Sequence, residues 1–247
     1  MAQEYRTPYS VGAGTAAEID QGLRSHMLRV YNYMASGVLL TAIVSYLFAN
    51  TPALLGLVYA QTATGGYAPT ILGWIVMFSP LAMILVMNFG LNKLSMFALQ
   101  ASFWVFATLM GISLSTIFLA YTGNSIATVF LVSASMFAAL SLYGYTTKKD
   151  LGPVGKFMFM GLIGILVASV VNIFLGSGMM SFVISVIGVV VFAGLTAYDT
   201  QKIKELYYAG YGEEQTAKLS IMGALSLYLD FINLFLMLLR LFGSSRD

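Results

Sequence analysis

Residues 220–243 read SIMGALSLYLDFINLFLMLLRLFG, a run apolar and long enough to cross a bilayer as one helix. Asp230 lies near its middle, between Lys218 and Arg240. A charged carboxylate facing hydrocarbon costs about 2.5 kcal/mol or more. Asp230 also shares one helical stripe with other small, polar or flexible residues, at spacings of three and four. That stripe comprises Gly223, Ser226, Asp230, Asn233 and Met237. It predicts that this helix lies at the centre of a bundle, surrounded by the others.

The rest of the chain supplies the helices for such a bundle. Of its 247 residues, 59% are hydrophobic and 9% are charged, whereas soluble domains carry about 25% charged residues. The apolar residues gather in runs of roughly 20, the length that spans a bilayer. We therefore predict an all-α integral membrane protein with seven transmembrane helices and the last helix central. The predicted spans are residues 30–50, 70–91, 96–120, 125–146, 154–175, 180–200 and 218–241.

The connections between these spans alternate in charge. Those after the first, third and fifth spans hold no charged residue, whereas those after the second, fourth and sixth all hold lysines. Because basic loops stay on the cytoplasmic side, the pattern predicts a cytoplasmic N-terminus and a C-terminus outside. Residues 1–21 are predicted to form a disordered N-terminal tail, and residues 22–243 the seven-helix transmembrane domain. Small residues in the fifth and sixth spans predict close helix contacts, among them Gly161, Gly164, Gly188 and Gly194.

A second aspartate, Asp199, ends the sixth span within FAGLTAYDTQKIKELY, residues 192–207. One interpretation is structural: Asp199 is an interfacial carboxylate offset by Lys202 and Lys204, and Asp230 only hydrogen-bonds helices together. In the other interpretation the two aspartates face each other. Two carboxylates in a dry site cannot easily both ionise, so they share a proton, and their oxygens suit Ca²⁺. Counting helical rise puts Asp230 deeper, so they meet only if the sixth helix sits lower or the seventh enters late.

The segment FAGLTAYDTQ, residues 192–201, resembles the signature of the Bax inhibitor-1 family. The resemblance covers nearly the whole chain from about residue 22. It implies a seven-helix fold with the last helix in the middle, and a proton-sensitive Ca²⁺ leak gated by two aspartates. Asp199 matches the signature position, and Asp230 matches the aspartate of the last helix. The family's bacterial branch implies a multi-pass protein of the inner membrane.

From the residues and this resemblance together we expect a pH-sensitive calcium leak channel. Asp199 and Asp230 would form a proton-sharing gate and supply Ca²⁺ ligands. Ser226, Asn233 and Tyr198 would support a polar path beside them. The expected partners are the lipid bilayer, Ca²⁺ and protons. No cofactor, enzymatic activity or nucleic-acid partner is expected.

One departure from the family pattern concerns the second helix. Members with the aspartate latch carry a basic residue toward its cytoplasmic end, where this chain has Gly90. Lys93 lies one turn further on. The latch is therefore expected to be weaker here, or built from Asn88, Asn92 or the aspartates alone.

Two other functions fit parts of the sequence. The first is modulation of a membrane-anchored AAA protease, with the N-terminal tail as the working part and the aspartates structural. The second is an intramembrane aspartyl protease, for which Tyr198 and Asp199 supply a Tyr-Asp pair; the Gly-x-Gly-Asp partner is absent, because SLYL precedes Asp230. The chain has no cysteine, which excludes disulfides and thiolate metal sites. Its single histidine, His26, is predicted to be a solvated residue at the membrane interface.

Overall fold

A computed structural model describes residues 16–62, 66–208 and 210–246. Seven of its helical segments are long and apolar enough to cross a membrane, which confirms the predicted fold class and places the spans within a few residues of their predicted bounds, the first span apart. The first span is longer than predicted and covers Asp20–Asn50. The helices are α1 Ala16–Asn50, α2 Pro52–Val58, α3 Ile71–Gly90, α4 Met96–Leu114, α5 Ile117–Ala120, α6 Gly123–Thr146, α7 Gly152–Leu175, α8 Gly178–Glu205 and α9 Glu213–Phe242.

Part of the predicted N-terminal tail is helical. The described part of α1 begins at Ala16, whereas the tail was expected to reach residue 21. Residues 1–15, which make up most of that tail, lie outside the described residues. The expected disorder of residues 1–15 stays a prediction.

The connection from α1 to α3 contains secondary structure that the sequence analysis did not anticipate. Pro52 opens the short helix α2, where its missing N–H leaves no helical bond unmade. Two short strands, β1 Tyr59–Gln61 and β2 Tyr67–Pro69, then pair antiparallel with Tyr59 opposite Pro69. The hydroxyl of Thr70 caps the N-terminus of α3 by accepting from the Gly73 amide. The described residues of this connection therefore form a folded segment that packs against α3.

Helix α9 is the centre of the bundle, as predicted. In its most apolar stretch 72% of the residues are buried, against 6% in α7. It packs against α1, α4, α6 and α8. Tyr228 on α9 is fully buried, and its hydroxyl lies 2.6 Å from that of Thr41 on α1. The rings of Phe103 and Phe106 on α4 meet Tyr228 edge-on. An aromatic cluster around one satisfied hydroxyl thus ties α1 and α4 to the central helix.

Helix α8 is the neighbour that α9 contacts most, and α6 and α7 also pack against α8. Gly144 of α6 lies against the backbone of Ala197, so close that a Cβ there would overlap the Ala197 carbonyl oxygen. Beside it, the hydroxyls of Ser141 and Thr200 are 2.9 Å apart. Helix α7 rests on α8 through Gly155, against the ring of Tyr198. Glycine thus sets the spacing on both sides of α8.

His26 is buried rather than solvated, so that prediction was wrong. Its side chain is only 3% exposed. Its Nδ1 lies 2.9 Å from Oγ of Ser220 at the start of α9, and its ring lies 5.5 Å from that of Tyr207. The reason is that α1 begins well before residue 30, and the segment that follows α8 packs over this first part of α1. His26 therefore joins three segments at one end of the bundle.

We expect this contact to stabilise the fold measurably. His26→Ala and Ser220→Ala should each lower the melting temperature in detergent, and a double-mutant cycle should give a coupling energy of about 1 kcal/mol, the net value of one buried hydrogen bond. Ser25→Ala, at an exposed neighbouring serine, is the control and should leave the melting temperature unchanged. Strictly additive effects of the two substitutions would show that the hydrogen bond contributes nothing.

Candidate functional site

A cavity of 1370 Å³ lies between α7, α8 and α9. It exists because α7 packs along α8, while α7 and α9 make few contacts with each other in the described part of the chain. Its lining reaches from Gly155 and Lys156 at one end of α7 to Ile173 near the other end. From Gly155 to Ile173 the helix rises roughly 27 Å, close to the thickness of about 30 Å of the hydrocarbon core. The cavity therefore extends along most of the membrane-crossing length.

Both predicted gate residues line this cavity. Asp230 is 5% exposed, and its Oδ2 is buried without a hydrogen-bond partner among the described residues. Asp199 is partly buried on α8. The two side chains border the same space. A buried oxygen with no donor is costly, and this one belongs to a residue at the edge of the cavity.

The packing of α8 on α9 explains how the two aspartates come close. A Cβ at Gly188 would lie 2.8 Å from Met237, and one at Gly223 would lie 3.1 Å from Ile203. This antiparallel register puts Asp199 level with Ser226, so Asp230 is one helical turn, about 5 Å, deeper. The difficulty raised by rise counting is resolved because α8 continues to Glu205 before the chain turns back.

The predicted supporting residues Ser226, Asn233 and Tyr198 also line the cavity. Asn233 donates to the Leu229 carbonyl of its own helix, which leaves its amide oxygen directed elsewhere. Four of the five residues of the α9 stripe therefore border one cavity, as their spacing indicated: Ser226, Asp230, Asn233 and Met237.

Other residues on the facing sides of α8 and α9 pack rather than line the cavity. Thr196 is fully buried and donates its hydroxyl proton to the Phe192 carbonyl. Gly188 and Gly223 provide room for Met237 and Ile203. Helical periodicity identified the face of α9 that borders the cavity, but the positions of the neighbouring helices decide which residues of that face are open to it.

Several polar lining residues were not singled out as path residues by the sequence analysis. They are Ser169 and Asn172 on α7 and Ser181 and Ser185 on α8. Asn172 donates to Oγ of Ser181 over 2.7 Å and accepts from the Ser177 amide, which fixes the turn between the two helices. The sequence offered little indication that these polar residues line a cavity, because serine and asparagine also occur between packed membrane helices.

The basic residues of the cavity differ from those considered for a latch. Lys156 and Lys202 lie at the end that holds Asp199, and Arg240 lies at the other end. Neither Gly90 nor Lys93 contributes to the lining, and Asn88 donates to Ile84 of its own helix. Among the described residues neither aspartate forms an ion pair; the ion pair seen is between Lys218 and Glu214, 2.9 Å apart. In this conformation no group of the second span holds the aspartates.

The aspartate pair by itself would make a sparse cation site. In the described part of the chain no group of three or more His, Cys, Asp or Glu side chains could hold a metal ion. Ca²⁺ takes six to eight oxygen ligands in its usual protein sites, so water and neutral oxygens such as that of Ser226 would have to complete the shell.

Comparison with known proteins agrees with the fold and the signature. The family described as "Inhibitor of apoptosis-promoting Bax1" matches residues 23–247. Protein RP147 of Rickettsia prowazekii is 48% identical over 92% of this chain and 93% of its own length. Inner membrane protein YbhL of Escherichia coli is 45% identical over 91% of this chain and 94% of its own. A protein of Deinococcus radiodurans is 42% identical over 93% and 94%. The chain therefore belongs to the Bax inhibitor-1 family of membrane proteins.

Proposed function

We propose that this protein is a pH-sensitive Ca²⁺ leak channel whose gate is the pair Asp199 and Asp230. The observation that carries the proposal is the unpartnered, buried Oδ2 of Asp230, in a cavity that also contains Asp199. A purely structural carboxyl would be expected to find donors on a neighbouring helix. This one instead lies beside a second acid along a space of nearly membrane length.

The gate follows from the charges around the pair. A shared proton would join the two carboxyls by a hydrogen bond, which is not formed in this conformation, and that bond would hold α8 and α9 together. Loss of that proton leaves two like charges in a poorly solvated site, and their repulsion favours separation. Lys202 and Lys156 at the same end of the cavity moderate this repulsion. The leak is therefore expected to increase as the pH rises through the range in which the shared proton is lost.

The setting in the cell is also proposed. The inner-membrane description of YbhL, a relative that covers nearly the same length, supports an inner-membrane location. The lysines of the even-numbered connections support a cytoplasmic N-terminus and a C-terminus outside. The alternative role as a modulator of a membrane AAA protease depends on residues 1–20, most of which lie outside the described residues, and it stays a prediction.

Calcium flux into liposomes tests the proposed gate. The purified chain is reconstituted with an interior calcium dye, and the initial rate is measured from pH 6 to pH 8. The parent should show a rate that increases several-fold, about the change expected when like charges appear in such a site. Asp199→Asn and Asp230→Asn should give low rates that hardly vary with pH, because an amide cannot ionise and binds a cation more weakly.

Asp20→Asn is the matched control, since Asp20 is exposed on α1 and absent from the cavity lining. It should behave like the parent. If both gate variants keep the parent's rate and pH response, the aspartate pair is not the gate. If the parent gives no flux above empty liposomes at any pH, the channel assignment itself fails.

A further inference from the structure

A second large cavity lies on a different side of the bundle. It is a groove of 1110 Å³ between α1 and α6, with Phe231 of α9 at its floor. The two walls touch little in the described part of the chain; Tyr31 of α1 bridges them by a 2.6 Å hydrogen bond to Ser141 of α6. From Gly123 to Tyr145, both in the lining, α6 rises roughly 33 Å. The groove is therefore as long as the bilayer core is thick.

The polar groups of this groove lie at one end only. Arg24, Tyr31, Ser141 and Tyr145 line the end near the start of α1 and the end of α6. The remaining walls are aliphatic or aromatic, and Ala35 and Ala138 leave the middle open. A long apolar channel with hydrogen-bonding groups at one mouth matches an amphiphile with a single polar head.

The basic side chains at the polar end of the groove can still bind a ligand. Arg24 is exposed and forms no ion pair with any acidic side chain in the described part of the chain, Asp20 one turn earlier included. The Nζ of Lys204 donates to the Tyr145 carbonyl over 2.8 Å and lies 5.2 Å from the centre of its ring. Since an ammonium has three N–H donors, Lys204 keeps donors free beside the groove. Lys148 follows on the connection after α6 and is exposed.

We propose that this groove binds one phospholipid with an anionic headgroup: an acyl chain lies between α1 and α6, and the phosphate and its negative headgroup meet Arg24 and Lys204. A guanidinium binds phosphate oxygens through two parallel hydrogen bonds, and basic side chains at a membrane surface attract anionic lipids. The proposal is independent of the calcium path, because the cavity between α7, α8 and α9 shares no lining residue with this groove.

Native mass spectrometry of the full chain, delipidated in detergent, tests the proposal. The protein is titrated with phosphatidylglycerol and, separately, with phosphatidylcholine of the same acyl chains. The parent should bind one phosphatidylglycerol clearly more tightly than phosphatidylcholine. Arg24→Gln should weaken phosphatidylglycerol binding about fivefold, the effect of one basic side chain at such a surface. Lys93→Gln, which removes an exposed charge outside the groove, should change nothing.

Filling the groove tests the acyl-chain half of the proposal. Ala138→Trp narrows it from the α6 wall and should abolish the first bound lipid. Ala139→Trp, at the next residue, which is exposed and outside the lining, should leave that lipid in place. Ala35→Trp repeats the test from the α1 wall if Ala138→Trp does not fold. Equal binding of the two lipids by the parent, or parent-like binding by the folded groove-filling variant, would overturn the proposal.

Discussion

Replacing Ser169 with tryptophan is expected to reduce the proposed Ca²⁺ flux of the reconstituted protein by about tenfold or more, because an indole in the cavity would obstruct ion passage. Ser169 lines the cavity from α7 and is partly exposed to it. Helix α7 is the least buried of the seven spans, so it can shift outward slightly to accept the larger side chain without unfolding. The flux is measured in calcium-dye liposomes at the pH at which the parent is most active.

The control for this substitution is Ser135→Trp. Ser135 is exposed on α6 and its hydroxyl donates only to the Leu131 carbonyl of the same helix. The same change of residue type at this position should leave the flux at the parent's rate. Parent-like flux in Ser169→Trp, with the variant correctly folded, would place the ion route somewhere other than the cavity between α7 and α9.

Gly144→Ala is expected to destabilise the protein by about 1–3 kcal/mol, the range for overpacking a close contact. The added Cβ would overlap the carbonyl oxygen of Ala197, a backbone atom that cannot rotate away as a side chain can. Relief of the overlap would require α6 and α8 to separate, which would also stretch the hydrogen bond between Ser141 and Thr200. The measurement is the melting temperature in detergent, supported by the fraction of monodisperse protein.

Gly164→Ala is the matched control for this prediction. A Cβ at Gly164 would meet no other atom within 4 Å, and alanine favours the helix over glycine by about 1 kcal/mol. This variant should be as stable as the parent or slightly more stable. Equal stability of Gly144→Ala and the parent would mean that the two helices are free to move apart at no cost.

The contrast between these two glycines shows what the sequence could and could not predict. Long apolar runs and the alternating charge of the loops are sufficient for the seven spans, because a bilayer leaves the chain few alternatives. Gly161 and Gly164 looked equally suited to close packing. Only Gly161 lies near another helix, where a Cβ would come 2.9 Å from Val191. Which small residues matter depends on how α7 is rotated, and the sequence of one helix does not determine this.

The sequence likewise predicted part of the candidate site but not all of it. Asp230 and its polar stripe had to face protein rather than lipid, so its interior position followed from charge alone. The open space beside it arises because α7 stands away from α9, which is a property of three helices together. His26 was misassigned because its neighbour Ser220 lies far away in the sequence, and no local pattern announces such a partner.

The central position of α9 has a consequence for how the protein is made. The ribosome releases this helix after the other six spans, so those spans enter the membrane while the segment around which they assemble is still being synthesised. Until then Phe103, Phe106 and Thr41 lack the tyrosine that joins them in the finished protein. The outer helices are therefore inserted before the central one. A nascent chain truncated before residue 213 would contain six inserted helices without the helix around which they pack.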